Sequence, residues 1–206
     1  MKTQMKFQKI LALVTLISAA IAAVIGLIFC SGLLNAIRQY SDYAGRYDIG
    51  ANALYEYSQS INDTVLIMAI ILIIAAVVLY VVGCNKMRNY YVSNFVGIGI
   101  YVVYAVVFAI FMFIVCFTCI GLKGEIDFEA WRAYEAQTNA AGELIRAQYY
   151  NDSIATIIFG ILIAVVVLAE AGLWVYNLIW KLKLMKGEKE LLAMGAVSES
   201  NQMEVA

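Results

Sequence analysis

The sequence alternates four long apolar stretches with polar segments that carry all but one of its charged residues. The stretches run from about Ile10 to Leu34, Val65 to Val82, Phe95 to Leu122 and Ile154 to Trp180. Each has roughly the 20 residues that a helix needs to cross a hydrocarbon core of about 30 Å. Peptide groups in lipid must hydrogen-bond to one another, so the stretches predict helices. We therefore expect an all-α, polytopic membrane protein with a four-helix transmembrane bundle.

Composition supports this class. Apolar residues make up 64% of the 206 positions and charged residues 14%, against about 45–50% and about 25% in soluble domains. A soluble core has no room for this surplus, so the first expected partner is the lipid bilayer. The net charge of −1 argues against nucleic acid as a partner, because binding to it requires a concentrated basic face.

The distribution of basic residues predicts the orientation. They precede the first stretch, lie between the second and third, and follow the fourth: Lys2, Lys6, Lys9, Lys86, Arg88, Lys181, Lys183, Lys186 and Lys189. In the two long links acidic residues outnumber basic ones. Since Lys and Arg stay on the cytoplasmic side, we expect a multi-pass plasma-membrane protein with cytoplasmic N- and C-termini. The first apolar run exceeds the 7–15 residues of a signal peptide's apolar core, so we expect it to be retained.

The two outer links contain aromatic residues at helical spacing. Tyr40, Tyr43 and Tyr47 recur at i, i+3 and i+7, and the second link places Trp131 and Tyr134 among helix-favouring Ala and Glu. The pattern predicts that the membrane helices continue outward as helical extracytoplasmic extensions. Tyr is favoured at protein interfaces, so these five residues are the candidate outer interface.

The sequence matches itself at an offset of about 89 residues, the kind of internal repeat to seek first. Cys30-Ser31-Gly32-Leu33 falls on Cys119-Ile120-Gly121-Leu122, and Asn62-Asp63-Thr64 falls on Asn151-Asp152-Ser153. The match predicts two tandem helical hairpins, with repeat 1 at about 9–84 and repeat 2 at about 98–173. Such repeats are related by an axis along the membrane normal. We expect one transmembrane domain over 1–184 and a disordered cytoplasmic tail over 185–206.

The absence of histidine excludes Ser-His and Cys-His catalysis and the usual zinc sites. We find no phosphate-binding loop, metal cluster or nucleophile–base pair in the sequence. The sequence therefore predicts no catalytic residue, no metal site and no cofactor.

Glu170 is the one charged residue inside the four apolar stretches. It lies eleven residues before Lys181, about 16 Å along a helix at 1.5 Å per residue. A carboxylate at that depth costs about 2.5–3.5 kcal/mol on insertion scales and by default marks an ion or proton path. The alternatives are a protonated carboxyl that bonds a neighbouring helix and an anchor for a partner subunit.

Three cysteines lie toward the predicted outer ends of helices. Cys116 and Cys119 form a C-x-x-C, and Cys30 falls at matching depth in the first stretch. Reactive C-x-x-C pairs usually lie at helix N-termini, where the dipole favours the thiolate, whereas this pair lies near a predicted C-terminus. A structural Cys30–Cys119 disulfide and buried free thiols are both better explanations than redox chemistry.

The repeated pairs Asn62-Asp63 and Asn151-Asp152 precede Thr or Ser and so fit the N-x-S/T glycosylation pattern. They also stand where the second and fourth apolar stretches begin. Asn, Asp, Ser and Thr are the preferred N-cap residues. We therefore expect these four residues to be helix caps.

The function that these features favour is a non-enzymatic membrane protein that acts by association. It would be an accessory or scaffold subunit that recognises another membrane protein, or copies of itself, through the acidic Tyr-rich outer hairpins. The alternative is a small homo-oligomeric channel or transporter with Glu170 in the ion or proton path. A third possibility is a membrane thiol-disulfide oxidoreductase.

Overall fold

The computed structural model of this protein describes the backbone of residues 2–29, 52–83, 90–123, 129, 133 and 154–204. The described residues include four long helices: α1 (Lys2–Ile28), α2 (Asn52–Gly83), α3 (Val92–Lys123) and α4 (Ile154–Glu204). Each includes a segment long and apolar enough to cross a membrane, and the described residues contain no strand. The prediction of an all-α chain with four such helices is confirmed.

The helices pack as an antiparallel bundle in which neighbours in sequence are neighbours in space. α1 packs against α2 and α4, and α3 packs against the same two helices. One end of the bundle, which we call the Gln4 end, holds Gln4, Gly83, Asn94 and Lys181. The opposite end, which we call the Phe29 end, holds Phe29, Val65, Cys116 and Gly160. Residues 2 and 190 thus belong to the same end of the bundle.

The outer surface of the bundle is apolar on all four helices. About half of each of Ile17, Ile70, Val107 and Leu162 is exposed, as are many other Ile, Val and Leu side chains. The interior contains mainly Ala with larger residues such as Trp174 and Phe108. A surface of this composition is stable in contact with lipid and would associate in water. The fold is therefore that of a multi-pass membrane protein.

Small residues allow two of the helix pairs to approach closely. Gly26 of α1 faces α2, where an added Cβ would lie 3.4 Å from the Ala69 Cβ. Gly160 of α4 is tighter, since an added Cβ would lie 2.7 Å from the Cys116 Sγ and 2.8 Å from the Phe29 ring. Such small residues are typical of helix contacts in membranes. In this protein the small residues allow close contacts between helices of the same chain.

The boundaries of two helices differ from those expected. α2 begins at Asn52, so Asn62 and Asp63 lie inside the helix and are not at its N-cap, contrary to the expected capping role. The reason is that the preceding residues include the good helix formers Ala53, Leu54 and Glu56, so the helix starts before the apolar stretch. Asn151 and Asp152 lie outside the described residues.

α4 continues to Glu204, through most of the 185–206 segment that we expected to be disordered. This segment is rich in Lys, Glu, Leu, Ala and Met, which are strong helix formers. Lys186 and Glu190 form an exposed ion pair at i, i+4 with a 3.9 Å separation between Nζ and Oε1. Such pairs support a helix locally.

The neighbour order agrees with a duplicated hairpin, but any antiparallel bundle of consecutive helices has the same order. The burial pattern does not follow the 89-residue offset in α2 and α4. Buried Ala76 and Leu79 fall on exposed Val165 and Leu168 in that register. The duplication therefore stays a prediction.

Candidate functional site

The buried polar residues of α1 and most of those of α4 lie on the faces that these two helices turn toward each other. In α1 they are Gln4, Gln8, Thr15 and Ser18, at i, i+4, i+11 and i+14. In α4 they are Glu170, Trp174, Asn177 and Lys181, at i, i+4, i+7 and i+11. All eight are buried. Because both spacings keep side chains on one helical face, the two rows meet as a polar seam inside an otherwise apolar bundle.

At the Gln4 end, three side-chain amides of the seam bond to one another. Gln4 Nε2 donates to Gln8 Oε1 at 2.9 Å and to Asn177 Oδ1 at 2.7 Å. Asn177 Nδ2 donates to Gln8 Oε1 at 3.0 Å, and Gln8 Nε2 donates to the Gly83 carbonyl at 2.8 Å. Each buried amide thus has a partner, as burial requires. The cluster joins α1, α4 and the end of α2.

Lys181 completes this end of the seam from α4. Its side chain is fully buried, its Nζ donates to Asn94 Oδ1 of α3, and the Nζ lies 5.2 Å from the centroid of the Phe95 ring. Asn94 in turn donates from Nδ2 to the Val82 carbonyl at 3.0 Å. A buried ammonium group needs such partners. Sequence analysis placed Lys181 only among the cytoplasmic basic residues and missed its burial.

Half-way along the bundle, α4 contacts α1 through two further hydrogen bonds. The Trp174 indole Nε1 donates to Thr15 Oγ1 at 3.0 Å. The Ser18 hydroxyl approaches both Glu170 Oε2, at 2.8 Å, and the Thr15 carbonyl, at 3.0 Å. The Tyr101 ring of α3 packs edge-on against Trp174, with 6.3 Å between ring centroids. This part of the seam therefore involves three helices.

Glu170 faces the protein interior, since only 3% of its surface is exposed. Its second carboxyl oxygen, Oε1, is buried and has no hydrogen-bond partner. The Tyr101 hydroxyl is buried near Thr15 and Glu170. Unsatisfied buried polar atoms are rare in folded proteins, and each one requires an explanation. Glu170 Oε1 therefore marks the most unusual point of the seam.

The seam ends at Glu170. Among the residues that the structure describes, no buried polar or charged side chain lies closer to the Phe29 end. That half of the core is filled by apolar side chains and thiols, among them Phe29, Phe108, Met112, Cys116 and Val167. Among the described residues, buried polar side chains thus occur only between the Gln4 end and mid-depth, where they alternate with apolar ones such as Leu11 and Leu79.

No protein-family model, curated protein or solved structure matches this chain. The polar seam and its surroundings are therefore the features that bear on the function.

The predicted cysteine site is only partly described. Cys116 and Cys119 are buried within the continuous helix α3, and Cys30 lies outside the described residues. The Cys30–Cys119 disulfide, which is one of the two structural alternatives for these cysteines, stays untested. Burial inside a helix removes the exposure and electropositive surroundings that reactive thiols need, so this geometry does not favour redox chemistry.

The candidate outer interface also lies outside the described residues: Tyr40, Tyr43, Tyr47, Trp131 and Tyr134. Within the described ranges, no group of three or more Cys, Asp or Glu side chains is arranged to hold a metal ion.

The spacing of the uncharged polar residues is a sequence signal for the seam. Glu170 stood out because it is charged, whereas Gln4, Gln8, Thr15 and Asn177 are uncharged. Their shared spacing on α1 and on α4 defines one face of each helix. Only the packing decides that these two faces meet.

Proposed function

We propose that this protein is a non-enzymatic, multi-pass protein of the plasma membrane that acts by association, as an accessory or scaffold subunit of another membrane protein. The observation that supports this most is the end of the polar seam at Glu170. A conduit through one copy would need polar or water-accessible groups in both halves of the bundle. Among the described residues, the half beyond Glu170 has no buried polar side chain, which favours a compact subunit over a single-chain pore.

The arrangement also disfavours a pore that is formed between several copies of this chain and lined by Glu170. Such a pore would be lined by the outward faces of the helices, and Glu170 faces inward with 3% exposure. The outward faces carry Ile, Val and Leu, which suit contact with lipid or with the apolar helices of another membrane protein.

The proposed orientation has both termini in the cytoplasm. Lys6 and Lys9 of α1 and Lys183 and Lys189 of α4 are exposed near the Gln4 end. Basic residues at one end of a bundle favour the cytoplasmic side. The acidic, Tyr-rich links would then lie outside, where they are available to a partner.

The test is the subunit composition of the complex extracted from its native membrane in mild detergent, measured by native mass spectrometry. We expect a second membrane protein in fixed ratio to this chain. Replacing Tyr43 and Tyr47 by Ser should reduce recovery of that partner, because it removes aromatic contact area from the proposed interface. Replacing Tyr91, which is 62% exposed near the Gln4 end, by Ser is the matched control and should not.

A ring of identical subunits without a second protein would contradict the accessory role. So would an ion or proton flux through liposomes containing the purified chain if Glu170→Gln abolished that flux. Absence of flux in the same liposomes, together with a co-purifying partner, is the result we expect.

A further inference from the structure

We propose that Glu170 is a proton-binding site whose proton exchanges with the aqueous phase at the Gln4 end of the bundle. This inference does not depend on the association proposed above. It rests on the surroundings of the carboxyl group, on its unpartnered oxygen and on the one-sided distribution of polar groups in the core.

The surroundings of Glu170 offer no counter-charge. From α1 it faces Ser18 and Thr15, which are neutral, and from α3 it faces Tyr101, the one titratable group of a neighbouring helix that the structure places beside it. On its own helix the nearest described cation is Lys181, eleven residues away and about 16 Å along the axis. A buried carboxylate without a cation or several donors is unfavourable, and gaining a proton removes the charge.

A protonated Glu170 satisfies the hydrogen bonds around its carboxyl group. Ser18 Oγ lies 2.8 Å from Glu170 Oε2 and 3.0 Å from the Thr15 carbonyl oxygen, and a serine hydroxyl has a single proton to donate. When Oε2 carries a proton, it donates to Ser18 Oγ while Ser18 donates to the Thr15 carbonyl. Oε1 is buried without a hydrogen-bond partner, which is less unfavourable for the carbonyl oxygen of a neutral acid than for a charged carboxylate.

The core determines from which side the proton can arrive. From the Gln4 end to Glu170, the α1–α4 interface contains amides, hydroxyls and an indole N–H, which can hold water molecules by hydrogen bonds. Toward the Phe29 end, Phe108, Met112 and Val167 fill the core at 2% exposure or less. The Gln4 half also contains buried apolar residues, among them Leu11, Ala12 and Leu79. Within the described residues, however, buried polar side chains that could pass a proton lie only between Glu170 and the Gln4 end, so exchange is favoured from that end.

The experiment is infrared difference spectroscopy of the full-length protein in lipid nanodiscs between neutral and strongly alkaline pH. We expect the carbonyl band of a protonated carboxyl at neutral pH and its loss in Glu170→Gln. The matched control, Glu188→Gln, changes an exposed residue of the same helix and should keep the band. If wild type has no such band at neutral pH, or if Glu170→Gln retains it, the proposal is wrong.

A second variant keeps the test decisive if Glu170→Gln does not fold. Ser18→Ala removes the hydrogen bond with Oε2 and should shift the carbonyl band without abolishing it. An unshifted band would assign it to another residue and overturn the proposal.

The route of exchange is tested by the rate at which the band shifts after transfer to deuterated water. Gln8→Met replaces a seam amide by an apolar side chain of similar size and should slow the shift several-fold. Met112→Leu, on the apolar side of Glu170, is the control and should leave the rate unchanged. Equal slowing by both variants would contradict access from the Gln4 end.

Discussion

At the scale of single residues, Gly160 has the closest neighbours of any described glycine. Both side chains that an added methyl group would meet, Cys116 and Phe29, are fully buried. A buried ring has little space into which to move because protein cores are close-packed. By contrast, an added Cβ at Gly172 of the same helix meets no atom within 4 Å. A side chain larger than hydrogen therefore has no space at Gly160 but has space at Gly172.

We predict that Gly160→Ala lowers the free energy of unfolding by about 1–3 kcal/mol, the usual cost of overpacking a core. Gly172→Ala should leave it unchanged or raise it slightly, because Ala is the better helix former. Detergent-denaturation curves of both variants, followed by loss of helical circular dichroism, measure the difference. Equal stability of the two variants would contradict the close approach of α1, α3 and α4 at Gly160.

The Trp174–Thr15 hydrogen bond is a second residue-scale feature with a measurable effect. We predict that Thr15→Val lowers the free energy of unfolding by about 1–3 kcal/mol, since it leaves the buried indole N–H without its acceptor. Val has the shape of Thr, so packing is preserved. Thr156→Val, at a half-buried position of α4, is the control and should have a smaller effect in the same denaturation assay.

At the scale of helices, polar contacts are distributed unequally among the interfaces. α1 and α4 share hydrogen bonds along half of the bundle, from Gln4–Asn177 to Ser18–Glu170. α2 and α3 are joined by fewer such bonds, chiefly the Tyr104 hydroxyl donating to the Met68 carbonyl at 2.7 Å. Hydrogen bonds between membrane helices contribute about 0.6 kcal/mol on average. The α1–α4 pair is therefore the better-defined contact.

We predict that Tyr104→Phe weakens the contact between α2 and α3 and lowers the free energy of unfolding by about 0.6 kcal/mol, and by no more than about 1.7 kcal/mol. Tyr176→Phe changes a residue that is 56% exposed and should have no effect on unfolding. A Tyr104→Phe protein as stable as wild type would show that this hydrogen bond contributes no net stability.

At the scale of the whole molecule, the four long helices bring residues 2 and 190 to the same end of the bundle. The exposed lysines at that end are the basis of the proposed orientation, because Lys favours the cytoplasmic side. The apolar outer surface keeps the bundle in lipid, while the polar seam lies on the inside. The proposed association within the membrane would therefore use the lipid-facing surface, and the proposed recognition outside it would use the links.

We predict that epitope tags at the N- and C-termini are accessible to antibody only after the cells are permeabilised. A tag inserted at Gly45, in the first long link, should be accessible on intact cells and serves as the control. Detection of either terminal tag on intact cells would contradict the proposed orientation.

The sequence predicted the elements much better than the site. Four apolar stretches are sufficient to predict four helices, because lipid permits few other structures. Asn62 and Asp63 were misassigned because the preceding residues favour helix formation as strongly as the apolar stretch does. Glu170 was identified because a single charged residue within an apolar stretch is evident from the sequence alone. Its partners Ser18 and Tyr101 come from helices distant in sequence.

The sequence by itself determined the class, the number of helices and the residue whose charge is least compatible with lipid. These follow from transfer free energies, which depend on composition and length within each stretch. The tertiary structure decided that Glu170 points inward, that Lys181 is buried beside Asn94 and that the polar groups stop at mid-depth. Those facts depend on which helical faces meet. The rotation of each helix about its axis is set by how residues such as Gly160 and Phe29 of different helices fit together. The hydrophobic periodicity of a single helix does not contain that information.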